Sequence, residues 1–171
     1  CQYLPSGENT VTMPVTGNMP NGTEANHFVD LDGKIVFSAQ NASGFRDETV
    51  IALRDGASVD FLESEDAINT SSLFSACDMY LLDGEGKRSG IAQLGFDREP
   101  LMQFDLMLGA NRPLDGEYVV TVEECEWMNG CAFIVLDDNP TPQPLEAGEL
   151  THISLPTGVN TNHTVATVYL V

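Results

Sequence analysis

The chain has 171 residues, 42% of them hydrophobic, and its 26 acidic residues against 7 basic ones leave a formal charge of -19. That length accommodates one domain with a real core and leaves little for a second. A field of this sign repels phosphate backbones and anionic headgroups, which excludes nucleic acid as a partner and allows membrane contact only through a lipid.

In chain order, the first feature is Cys1. A cysteine at the first position is what lipoprotein processing leaves, acylated, in front of a polar tether. Four cysteines and hairpin-rich patterning also suit an oxidising exterior, so the expected location is extracellular or at the cell surface. Residues 10–16 then alternate strictly, with Val11, Met13 and Val15 on one face, between two stretches rich in Pro, Gly and Asn. This reads as a strand on a leash. Residues 1–26 are accordingly an N-terminal arm and linker, and residues 27–171 one domain.

Within that domain, short apolar runs punctuated by Gly, Asn and Asp recur about every ten residues, and no sustained helical period appears, the pattern of an all-β fold. The expected architecture is an antiparallel β-sandwich, Ig-like or jelly-roll-like, with Greek-key connections. Asp32-Gly33 suits a type I′ turn and predicts a hairpin of residues 28–31 with 34–37. Arg54-Asp55-Gly56 predicts a second hairpin, of 49–53 with 57–62. The Gly-rich turn 83–86 predicts a third, of 78–82 with 91–96. Residues 64–75 carry acids ahead of two apolar pairs, which suits one or two helical turns. Further strands are expected at 101–108, 117–125, 132–136, 150–155 and 164–171. Three prolines within 137–148 forbid a central strand and predict an extended crossover to the other sheet. The expected core comprises Ile35, Phe37, Val50, Leu53, Phe61, Leu81, Phe104, Leu106, Val120, Val122, Ile134, Leu136, Val168 and Leu170.

Register places the cysteines. An Asn129-Gly130 two-residue turn would set Val122 against Asp137, whereas Cys125 opposite Cys131 pairs Val122 with Ile134 and keeps one face apolar. The expectation is a cross-strand disulfide between Cys125 and Cys131. Cys1 and Cys77 remain open: they pair and staple the arm to the body, or Cys1 is acylated and Cys77 stays a thiol.

Enzyme chemistry finds no constellation. His27, His152 and His163 lie in separate segments, and there is no metalloprotease motif, nucleophile elbow, phosphate loop or dinucleotide fingerprint. Acid pairs such as Glu123/Glu124 follow from composition. No catalytic, metal or cofactor-binding residue is assigned and no cofactor is called for. Calcium is the one candidate ion, at Asp30/Asp32, Asp83/Glu85 or Asp137/Asp138, none of which completes an EF-hand pattern. Sequons place possible glycans at Asn21, Asn41, Asn69 and Asn162, and Trp127, the single tryptophan, is the candidate aromatic for a ligand loop.

A leashed strand is able to leave its own sheet and add to a neighbour's, an arrangement that resembles, in architecture alone, subunits that polymerise by donor-strand exchange, such as pilins of extracellular fibres. The expected function is a non-enzymatic fibre or pilus subunit whose partners are other copies of itself. The alternative is a surface lipoprotein, acylated at Cys1, that binds a glycan, calcium or a protein.

Overall fold

The computed structural model describes residues 10–11, 29–30, 33–58, 66–69, 76–95, 101–111, 116–127 and 130–171. Among these there is no helix. The strands are β1 (Thr10–Val11), β2 (Val29–Asp30), β3 (Gly33–Asn41), β4 (Arg46–Leu53), β5 (Ala67–Ile68), β6 (Asp78–Leu82), β7 (Arg88–Leu94), β8 (Met102–Ala110), β9 (Glu117–Trp127), β10 (Ala132–Leu136), β11 (Asn139–Pro144), β12 (Gly148–Ser154) and β13 (Thr161–Leu170).

β1 and β2 pair with each other in a small separate sheet. All the others belong to one sheet in the order β11-β10-β13-β8-β6-β7-β4-β3-β9-β12, with β5 added to β7. The sheet is antiparallel except between β4 and β7, and it curls into a half-barrel. The curl follows from where the apolar faces lie. Ile35, Phe37, Val120 and Val122 at one end of the strand order share a single buried cluster with Phe104, Leu106, Ile134 and Val168 at the other. Removing each such side chain from water is worth about 2 kcal/mol, and only a folded-over sheet does so for both ends at once. Thirteen of the fourteen expected core residues lie in or against this cluster or are half-buried beside it. Val50 is the half-buried one, Leu136 packs against the cluster, and the remaining eleven are fully or nearly fully buried. Phe61 lies outside the described residues.

In the middle of the strand order, termed the corner of the curl, lies the β6–β7 hairpin; the Gly-rich turn predicted it, but its second strand is Arg88–Leu94 and not 91–96. Its strands pair at Leu81↔Ser89 and Leu82↔Arg88. Asp83 organises the turn: its Oδ1 accepts from the backbone N–H of Glu85 at 2.9 Å and of Lys87 at 2.8 Å. Gly86, at φ +77, takes the left-handed position that a Cβ would disfavour.

Three local expectations are corrected. Asp32-Gly33 does not join residues 28–31 to 34–37 in a hairpin, because β3 has both edges filled by β4 and β9 and β2 pairs with β1. β4 likewise lies between β3 and β7, which leaves no edge for a partner at 57–62. Residues 67–68, expected in a helical turn, form β5, while 61–65 and 70–75 lie outside the described residues. The other hairpin at β4 is β3–β4 itself, closed by Gly44 at φ +84 and by Asn41 Oδ1 accepting from Phe45 N–H at 2.9 Å.

The largest correction concerns 125–131. β9 and β10 follow each other in sequence yet never pair: β9 lies between β3 and β12, and β10 between β13 and β11. Val122 stands opposite Phe37 and Gly148, and Ile134 opposite Val168 and Gln143. The apolar faces that suggested a hairpin register meet across the core instead of side by side.

The proline run forms β11, an edge strand joined to β10 by a turn at Asp137 and Asp138. The predicted crossover is confined to residues 145–147, which carry the chain from the β11 edge to the β12 edge, with Leu145 buried between. At the far end of β12, Leu155 N–H donates to Gly116 O at 2.6 Å, and a Cβ on Gly116 would stand 2.7 Å from Leu155 O. Glycine is required there by close approach as well as by its φ of +76.

Candidate functional site

Two features stand out: the corner of the curl, where charged and polar side chains gather, and the arm strand outside the large sheet. At the corner, β4 and β6 are the two strands that flank β7. Side chains there bond to backbone groups and supplement the ladders. Asp47 Oδ2 accepts from Met79 N–H at 2.8 Å, Thr49 Oγ1 donates to Gly90 O at 2.9 Å, and Cys77 Sγ donates to Ala39 O at 3.3 Å. Burial raises Asp47, reinforced by the charge of Asp78. Burial together with Asp47 pushes the Cys77 thiol up to about 12.

On the other face of β6, buried Asp78 is ion-paired with Arg88. The guanidinium lies 3.6 Å from the Tyr80 ring centroid, a cation–π contact. Asn69 Nδ2 donates to Asp78 Oδ1 at 2.9 Å and to Met79 O at 3.0 Å, and Tyr80 O–H donates to Asn162 Oδ1 at 2.9 Å. Burial raises the Tyr80 hydroxyl, opposed by Arg88. Asn69 Oδ1 and Arg88 Nε are buried without a hydrogen-bond partner. This network couples β5, β6, β7 and β13. Sequence reading missed it because it carries no local motif: Asn69, Asp78, Tyr80, Arg88 and Asn162 come together only through the pairing of β5 with β7, β6 with β7 and β8, and β8 with β13.

The cysteines depart from both pairings that were expected. Cys77 and Cys125 are thiols, so neither the Cys125/Cys131 bridge nor a Cys1/Cys77 staple is present. Cys125 Sγ instead donates to Leu145 O at 3.3 Å, and burial raises it. Cys131 is disulfide-bonded. The physical reason is the one that undid the hairpin: with β9 and β10 unpaired, residues 125 and 131 are not cross-strand neighbours.

The sequon asparagines differ in access. Asn41 is buried with its Oδ1 tied to Phe45, and Asn69 is tied to Asp78. Asn162 is exposed on β13, and Asn21 lies outside the described residues. Trp127 ends β9 opposite Gly33 and packs against the core cluster. Among the acid pairs that are candidates for calcium, Asp83 is occupied by its own turn, Asp137 and Asp138 form the exposed β10–β11 turn, and Asp30/Asp32 lies outside the described side chains. Among the described residues no group of three or more His, Cys, Asp or Glu could hold a metal ion. His152 is exposed on β12 beside Glu149, at 2.8 Å, His163 is half-buried on β13, and His27 lies outside the described residues. Glu123 and Glu124 are engaged on the surface, by Arg46 at 3.0 Å and Lys34 at 2.7 Å.

In the arm, Val11 lies in β1, with Thr10 opposite Asp30 and Val11 opposite Val29; Met13 and Val15 lie outside the described residues. The arm strand is thus not a member of the large sheet, whose two terminal strands are β11 and β12. In comparison with known proteins, the chain matches no family model, no curated protein and no solved structure.

Proposed function

We propose that this protein is a non-enzymatic structural subunit of a cell-surface or secreted fibre that assembles with copies of itself by β-strand exchange through its N-terminal arm. In this reading the two halves of the curled sheet act as the facing layers of an Ig-like or jelly-roll-like sandwich, and residues 10–16 of one copy complete the sheet of the next. The observation that supports it is the position of β1, which pairs with β2 outside the large sheet while that sheet keeps two terminal strands. A strand paired outside the large sheet is able to exchange without opening that sheet, and main-chain pairing along a seven-residue segment binds without charge complementarity. That matters for surfaces carrying a charge of -19, which repel one another at long range.

Sedimentation and electron microscopy of the full chain test the reading. The expected result is linear polymer from the wild-type chain and protomers from Met13→Asp, which places a charge inside the alternating segment. A wild-type chain that stays monomeric at high concentration, or a Met13→Asp variant that polymerises normally, sinks it. Intact mass separates the anchored-module alternative, which requires acyl mass at Cys1.

A further inference from the structure

The two terminal strands of the sheet differ in what their outer sides offer. Along β11, Leu145 N–H donates inward to Ala132 O at 2.9 Å. Backbone groups alternate in direction along a strand, so Pro144 and Pro142 occupy positions whose N–H would point outward, and Pro140 follows two residues on. Proline has no N–H, and this edge is blunted as a pairing partner. Along β12 the phase is fixed by Leu155 N–H donating inward to Gly116 O, with Ile153↔Tyr118 and Thr151↔Val120 in step. His152 and Ser154 therefore turn both N–H and C=O outward. Thr151 Oγ1 donates to the His152 carbonyl at 3.4 Å, a long local bond that an incoming N–H can displace, and β9 is the strand with which β12 pairs among the described residues.

We infer that the outer edge of β12, at His152 and Ser154, is the acceptor edge to which residues 10–16 of a second copy add as an antiparallel strand; this rests on the strand-exchange reading above. Three observations select that occupant. Residues 10–16 carry no charge, so they approach an edge flanked by exposed Glu117 and Glu149 without the repulsion that any acidic segment of this chain would meet. Sixteen residues, 17–32, separate the segment from β3, and extended they reach roughly 50 Å, enough to span to a neighbour.

The third observation is a matching irregularity. Side chains directly opposite each other in a ladder share a face, so placing Val11 beside buried Ile153 puts Met13 opposite Thr151 and turns the backbones of Thr10 and Thr12 toward Ser154 and His152. Pro14, which cannot donate, then falls opposite Leu150. There the register of β12 against β9 already shifts between Glu149 and Thr151, so the ladder is interrupted at the one residue that has nothing to give.

The experiment uses the full chain. His152→Pro removes one outward N–H while leaving the inward ladder to β9 untouched, and it is expected to raise the half-assembly concentration about tenfold; His152→Gln, which keeps the N–H, assembles like the wild type. Independently, Met13→Cys mixed with Thr151→Cys is expected to give an interchain disulfide between residues 13 and 151, since a non-hydrogen-bonded pair brings its Cα atoms to the separation a disulfide needs. Assembly that depends on Met13 yet is indifferent to His152→Pro and gives no 13/151 bond overturns this edge and leaves strand exchange standing. Capture of residue 13 on β11, or a β12-to-β12 contact between copies, overturns it as well. Loss of Met13 dependence removes both readings together.

Discussion

Arg46 and Asp47 are neighbours on β4, and alternation sends them to opposite faces of the sheet. Arg46 joins Glu48 at 2.5 Å and Glu123 at 3.0 Å on a face where all three side chains keep 40% or more of their exposure. Asp47 enters the corner with Cys77, Asp78 and Met79. The two clusters share a strand but differ in the sign of what happens to their acids. Glu123 is held below the usual carboxylate range by hydrogen bonds from Ser38 and Arg46, whereas Asp47 is raised by burial. On the open face water screens the charges and hydrogen bonds dominate. In the corner the lost hydration outweighs the N–H that Asp47 accepts.

The comparison is broken most severely at Arg88. Replacing it with Met leaves Asp78 buried and uncompensated, a class of change that costs about 3–5 kcal/mol when the pair is fully enclosed. The Arg88 side chain keeps 29% of its exposure, so the expected loss is nearer about 2–3 kcal/mol, part of it from the cation–π contact with Tyr80. Urea denaturation measures it. The double variant Asp78→Asn with Arg88→Met should recover part of the loss, because the stranded charge is gone. A single variant as stable as the wild type would mean that the corner is wet and behaves like the open face.

Much of this fold was legible and which apolar faces meet was not, for one physical reason. Period-two apolar runs locate strands, so residues 132–136 were placed without error and β8, β9, β12 and β13 to within a few residues. The same periodicity does not say whether two apolar faces meet along a ladder or across a core. Val122 and Ile134 satisfied the hairpin register equally well as core partners, and the disulfide assigned to Cys125 and Cys131 fell with it. The turn at Asp83 was readable because its chemistry is local. Asp32-Gly33 carried the same signal and was overridden by β4 and β9 occupying both sides of β3. The prolines of β11 were rightly read as forbidding a central strand, but an edge strand permits them. Of the candidate site, the alternation of residues 10–16 was legible, whereas the asymmetry of the two edges depends on which backbone groups turn outward, which no single sequence displays.

Asp47→Asn sharpens the comparison through pH. A folded carboxyl raised above its ordinary value of 3.8 binds its proton more readily than the unfolded chain does. Its relative contribution to stability is therefore greatest below pH 3.8 and is lost as pH rises through the folded value. The stability of the wild type minus that of Asp47→Asn should accordingly fall between pH 3 and pH 7. The same variant removes a negative charge beside Cys77, so alkylation of that thiol, slow in the wild type because so little thiolate exists near pH 8, should accelerate. A difference that instead rises with pH would assign Asp47 to the behaviour of the open face.

Glu123→Gln is the smallest and the most diagnostic change. Glu123 is lowered, so its contribution is present above the ordinary glutamate value of 4.5 and disappears as pH falls through the folded one. Wild type minus Glu123→Gln should therefore rise between pH 3 and pH 7, opposite in sign to the Asp47 pair. Its size should stay below about 1 kcal/mol, because Arg46 and Glu123 are screened by solvent and their long side chains lose rotamer freedom to meet. The part due to Arg46 should fade in 1 M salt, where the screening length is about 3 Å. The part due to Ser38, whose hydroxyl donates to Glu123 at 2.5 Å from a buried position, should persist. Stability curves for wild type, Glu123→Gln and Ser38→Ala at low and high salt separate the two. If salt erases the whole difference, the lowering belongs to charge alone and the hydrogen bond from Ser38 contributes nothing.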